Sequence, residues 1–155
     1  MSEYKLIEEI IKLSESKKWD SAKLEWGLSE IYEEDEPDTC LCGHFPIIEM
    51  CVLKNKINAN LATVGNCCVK KFIGLPSDKI FQAVKRVRKN NNKSLNAEAI
   101  EHAFNKGWIN TWERDFYLDI MRKRNLSDKQ ALKKLQVNER VMIAIRRNAG
   151  RNNQK

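Results

Sequence analysis

The chain has 155 residues, 42% of them apolar and 32% charged, and a formal net charge of +7. That make-up belongs to a folded, water-facing chain: no stretch approaches the roughly 20 apolar residues of a bilayer span, and the length leaves no room for two large cores. The charge is unevenly placed, with 5 Lys/Arg against 12 Asp/Glu in residues 1–39 and 23 against 9 in residues 40–155. An acidic leader on a basic body points to a polyanion or an acidic protein face as partner.

The amino terminus, MSEYKLIEEIIKLSESKKWD, carries acids where a secretory signal carries bases, so a cytoplasmic protein is expected. Within it Leu6, Ile7, Ile10, Ile11 and Leu13 recur at helical spacing and predict a short amphipathic helix. Leu24, Trp26 and Leu28 then alternate with Lys23, Glu25, Gly27 and Ser29, the pattern of a strand with one buried face. The run Glu33, Glu34, Asp35, Glu36, Pro37, Asp38 is expected to end that strand and to form a loop leading to the first cysteine.

Residues 45–64 read as a β-hairpin, with β-favouring residues from Phe45 to Leu53, a turn at Asn58, Ala59 and Asn60, and a return over Leu61–Val64. Gly65 and Asn66 break the strand, and Cys68, Val69, Phe72 and Ile73 suggest a helix start. Ser77 can cap a further helix whose stripe is Ile80, Phe81, Val84 and Val87. After the polar linker Asn90–Lys93 the pattern is helical throughout. Ala99, Ile100, Ala103 and Phe104 form one helix that Gly107 can terminate. Asn110 with Glu113, and Ser127 with Gln130, have capping-box spacing ahead of two more helices, and a last segment holds Val141, Met142 and Ile145. Trp108, Trp112, Phe116 and Tyr117 are read as core of this lobe, and His102 as a surface or edge residue. The expected divisions are 1–39, an acidic helix and strand; 40–89, a cysteine module with its following helix; 94–147, a helical lobe; and 148–155, a polar tail.

All five cysteines fall between Cys40 and Cys68, a clustering that favours a metal over a disulfide framework in a reducing compartment. Cys40-Leu41-Cys42-Gly43 is a short turn bearing two donors, and Gly43 can take the positive φ that folds backbone around an ion. Knuckle, hairpin, then a helix with a cysteine in its first turn is the organisation of a treble-clef zinc finger. The stretch TCLCGHFPIIEMCVLKNKINANLATVGNCCVKKF, residues 39–72, resembles that fold group. It is most similar to small, uncharacterised phage and bacterial proteins with a C-x-C-G knuckle and a G-N-x-C-V element. The resemblance implies an α+β fold, a treble-clef-like module between an N-terminal helix and a C-terminal helical lobe, and one structural zinc ion. Among the donors, Cys40, Cys42 and Cys68 come first, and the fourth is Cys51 or His44, with Cys67 behind them. Cys51 is preferred because thiolate is the stronger structural donor, whereas His44 is close enough to Cys42 to hydrogen-bond a coordinating sulfur instead.

Catalysis is not expected, because four protein donors close the shell that a catalytic zinc keeps open, and the chain has only two histidines, His44 and His102. Binding is. Lys85, Arg86, Arg88 and Lys89 at a helix end, with Lys70 and Lys71 upstream, can attract the phosphates of DNA or RNA. Further basic groups are Arg122, Lys123, Arg124 and Arg146, Arg147, Arg151. The competing expectation is a protein-interaction module that grips an acidic surface, in the manner of a phage-encoded modulator or inhibitor of a host complex.

Overall fold

The computed structural model describes residues 3–152, with side chains through Arg146. The tail expected over 148–155, and the side chains of Arg147 and Arg151, lie outside the described side chains. The fold is α+β, with a three-stranded antiparallel sheet in the order β1-β2-β3 and seven α-helices among the described residues. Chain packing divides it into two units, with the boundary between Asp78 and Lys79. Residues 26–38 pair with the first hairpin strand, so the acidic leader and the cysteine segment share one unit.

In the first unit α1 (Glu3–Leu13) buries Leu6 and Ile10, the centre of the predicted stripe. After α2 (Trp19–Ala22) a 3-10 turn, Lys23–Glu25, carries Leu24 out to 70% exposure, so the strand begins only at Trp26. It then runs as β1 (Trp26–Asp38) through the whole acidic run, where the residue types predict a loop. Two features allow this. Pro37 falls where β1 has no partner residue on β2, so its missing backbone donor costs no ladder bond. The register also jumps from Glu33↔Glu49 to Asp38↔Ile47, so the intervening residues bulge instead of facing partners.

The hairpin is as predicted: β2 (Ile47–Asn55) and β3 (Leu61–Gly65) pair antiparallel. β2 is buried on both faces, with Met50, Cys51, Val52 and Leu53 all 7% exposed or less. Met50 and Val52 pack with Tyr32 and Ile47. The hairpin turn also closes α1, because Asn58 and Asn60 both donate to the Leu13 carbonyl, at 3.0 and 2.9 Å. Glu25 reinforces the same corner, accepting from the Glu15 and Ser16 N–H groups and from Asn55 Nδ2, each at 2.8 Å.

A helical segment follows β3 directly: α3 (Asn66–Cys68), then a π-type turn (Val69–Ile73) that Gly74 ends with φ +81. Next comes α4 (Ser77–Lys89), whose predicted stripe of Ile80, Phe81, Val84 and Val87 is buried throughout. Ser77, fully buried, donates its hydroxyl to Asn66 Oδ1 at 2.6 Å and so fixes the start of α4 against α3.

The second unit is helical. α5 (Ala97–Asn105) ends in a Schellman motif, with Gly107 N–H bonded to Phe104 O, Trp108 N–H bonded to Ala103 O, and Gly107 at φ +77. α6 (Thr111–Ile120) has both halves of the Asn110/Glu113 capping box, and Ser127/Gln130 makes the same reciprocal pair before α7 (Asp128–Asn152). α7 is one helix where the sequence suggests two segments, since no glycine or proline interrupts residues 136–140. The aromatic core reading needs correction at Trp112, which is 60% exposed and stacked on Phe116. His102 is buried, edge-on to Trp108 at 5.5 Å, and not a surface residue.

A polar knot holds the asparagine linker to this unit. Tyr117 accepts from the Leu95 N–H at 2.8 Å and donates to Asn138 Oδ1 at 2.6 Å, while Asn138 Nδ2 donates to the Asn91 and Lys93 carbonyls. Tyr117→Phe leaves the Leu95 donor and the Asn138 acceptor buried without their partner. It is expected to cost about 1–3 kcal/mol in urea unfolding, the penalty for stranding buried polar groups.

Candidate metal centre

The knuckle forms because a tight turn closes on itself: Gly43 N–H bonds to Cys40 O at 2.8 Å, and Cys40 N–H bonds to His44 O at 3.0 Å. Gly43 sits at φ +91, the left-handed conformation that its place after Cys42 predicted. The turn also aims backbone donors at sulfur. Cys40 Sγ accepts from the Cys42 N–H at 3.5 Å and from the Gly65 N–H at 3.2 Å. Gly65 is needed for closeness, since a Cβ there would stand 3.1 Å from Ile47 Cγ2 and 3.5 Å from Cys40 Sγ. The hairpin thus returns its last residue to the knuckle, and the helical turn after it delivers Cys68.

The outcome is a cluster of three buried thiols, Cys40, Cys42 and Cys68, with sulfurs all within 4.8 Å of one another. The Cys68 thiol beside Cys40 is the largest influence holding the Cys40 sulfur below its ordinary range; the Cys42 and Gly65 N–H groups help, and together they outweigh burial. Cys68, as proton donor to Cys40 and buried, is pushed up correspondingly. Three close sulfurs, with hydrogen bonds ready to stabilise thiolate, fit one metal ion. Cys40, Cys42 and Cys68 would hold it.

The remaining sequence candidates are placed elsewhere. Cys51 is fully buried on β2 opposite Val64 and is not in the cluster. Burial pushes its thiol up to about 12, against the opposing influence of the Ser77 hydroxyl. The structure brings together three of the four preferred donors and leaves the fourth, Cys51, outside the group. Cys67 is exposed, next to buried Cys68 in the same helical turn, and His44 is exposed at the knuckle. The two backbone donors to Cys40 had one sign in the sequence, the glycine at position 65 that ends β3.

Of the basic residues, Lys70 and Lys71 are exposed on the segment after α3, where Lys70 pairs with Asp78 at 3.3 Å. Lys85, Arg86, Arg88 and Lys89 are exposed on the last turns of α4, with Arg86 donating to the Ser94 carbonyl at 2.8 and 3.2 Å. No helix among the described residues is long and apolar enough to cross a membrane. Comparison with family models, with curated proteins and with solved structures returns no match to this chain.

Proposed function

We propose that the chain is a zinc-stabilised binding protein without a catalytic role, that its knuckle, hairpin and following helix form a treble-clef-like module, and that its basic surface contacts nucleic acid. The buried three-thiol cluster supports the metal, and the order of elements supports the module, since donors lie at its first turn and at the start of its helix. Zinc is the ion that suits thiolates without needing redox chemistry, and in so small a sheet its binding would add directly to folding free energy.

The observation that carries the nucleic-acid reading is the exposed group Lys85, Arg86, Arg88 and Lys89 at the end of α4. Such a cluster attracts phosphates and releases their counterions on binding. Titration of labelled duplex and single-stranded probes at increasing salt is the test. Affinity should fall steeply with salt, and neutralising the four residues should shallow the salt slope by roughly one unit for each cation that pairs with a phosphate. Negligible affinity at low salt would refute the reading.

A groove in the second unit favours a second reading, a protein-interaction module. Val87, Met142 and Ile143 line it between Arg88 and Arg146, with a volume of about 340 Å³, and Ile143 is 52% exposed. That chemistry suits an acidic protein surface with an apolar anchor. Purification after nuclease treatment that retains one stoichiometric protein partner would favour it.

A further inference from the structure

We infer that His44 is the fourth ligand of the metal held by Cys40, Cys42 and Cys68, making the centre three-sulfur, one-nitrogen; the inference rests on the zinc reading above. Structural zinc takes four donors, and the clustered thiols supply three. The fourth must reach them without dismantling the fold.

Cys51 does not meet that condition. It is fully buried on the central strand, beside the Ser77 hydroxyl and with its sulfur outside the cluster, so turning that sulfur toward Cys40 disrupts the packing around it. Cys67 precedes Cys68 in the same helical turn, and neighbouring helical residues point about 100° apart. With Cys68 buried in the cluster, Cys67 is turned out to solvent.

His44 meets it. Its carbonyl accepts the Cys40 N–H at 3.0 Å, which holds the two residues side by side across the mouth of the knuckle. Its imidazole is exposed and makes no hydrogen bond among the described residues, so turning it toward the sulfurs breaks none. Metal–nitrogen and metal–sulfur bonds of about 2.0–2.1 and 2.3 Å then draw the loop and the cluster together.

Cobalt(II) titration of the full chain, followed by ligand-to-metal absorption and circular dichroism, tests this. The unmodified chain should bind one cobalt with the charge-transfer intensity of three thiolates, and Cys67→Ser and Cys51→Ser should leave that intensity unchanged. His44→Ala should weaken binding by more than the roughly 100-fold upper limit for loss of an outer partner of a metal ligand. His44→Cys should restore affinity and raise the intensity to that of four thiolates. His44 is exposed, so these two variants remove no core packing. Loss of one thiolate's intensity in Cys51→Ser or Cys67→Ser, or unchanged affinity and spectrum in His44→Ala, overturns the inference and leaves the metal reading standing. A chain that takes up no cobalt overturns both.

Discussion

Cys40→Ser is expected to abolish metal binding and to unfold the first unit, while the helical signal of α5, α6 and α7 survives. Cys40 is the most connected of the three thiols: its sulfur accepts two backbone N–H groups, one from the knuckle and one from the end of β3. Losing it therefore releases the knuckle from the hairpin as well as removing one of the three thiols that would hold the ion. Structural zinc contributes about 10–16 kcal/mol of apparent binding energy in small finger peptides. Here part of that would be offset by the unit's own core, which includes Leu6, Ile10, Ile31, Leu53 and Val64. A loss of several kcal/mol is still comparable to the whole stability of a small domain near the lower end of the usual range of about 5–15 kcal/mol. Thermal melts with and without a chelator provide the measurement. Trp19 and Trp26 report the first unit; Trp108 and Trp112 report the second. Identical melts with and without chelator, from protein shown to carry metal, would contradict a structural role for the ion.

The second large effect is expected at Glu113, where replacement by Gln should destabilise the helical unit by about 2–3 kcal/mol, less than the roughly 3–5 kcal/mol for breaking a fully buried pair. Its carboxylate is buried and serves three donors: the Asn110 N–H at 3.0 Å, Lys133 at 3.0 Å, and Arg140 at 2.7 and 2.8 Å. The cost is reduced because Lys133 and Arg140 reach solvent and can rehydrate. The pH dependence gives an independent check. Burial alone would raise the Glu113 carboxyl, but the Asn110 N–H, Lys133 and Arg140 outweigh it and hold the group below its ordinary value of 4.5. A depressed carboxyl contributes its stability in full above the unfolded value and loses it as pH falls through the lower folded one. The acid limb of the stability curve, below about pH 4.5, should therefore be shallower in Glu113→Gln.

Where local chemistry decided the structure, the sequence could be read directly. The hairpin followed from a β-favouring run and its asparagine turn, and both capping boxes followed from spacing alone, because each is completed within four residues. Cys40, Cys42 and Cys68 were legible for a similar reason, two lying in one turn and the third three residues past the glycine that ends β3. Features that depend on distant partners were not legible. β1 crosses a proline and a run of acids that individually disfavour a strand, because β2 offers it an edge and a bulge absorbs the misfit. Cys51 shares its residue type with the three clustered thiols, but its place on the buried central strand, which residue type does not reveal, leaves it outside their group. His102 reads from its residue type as a surface or edge residue, yet it is buried, and the Schellman turn at Gly107 folds Trp108 back over it.

The acidic stretch of β1 has a consequence for how the chain behaves among its own copies. An open sheet edge is a template on which another strand can grow, and a thirteen-residue strand is a long one. Glu33, Asp35 and Glu36 would set like charges against each other if two such edges met, Pro37 withholds a donor, and the bulge breaks the regular spacing an incoming strand requires. On that side the sheet resists extension into a fibre. The run that makes β1 hard to recognise as a strand is also what lets a strand of that length stay at a sheet edge.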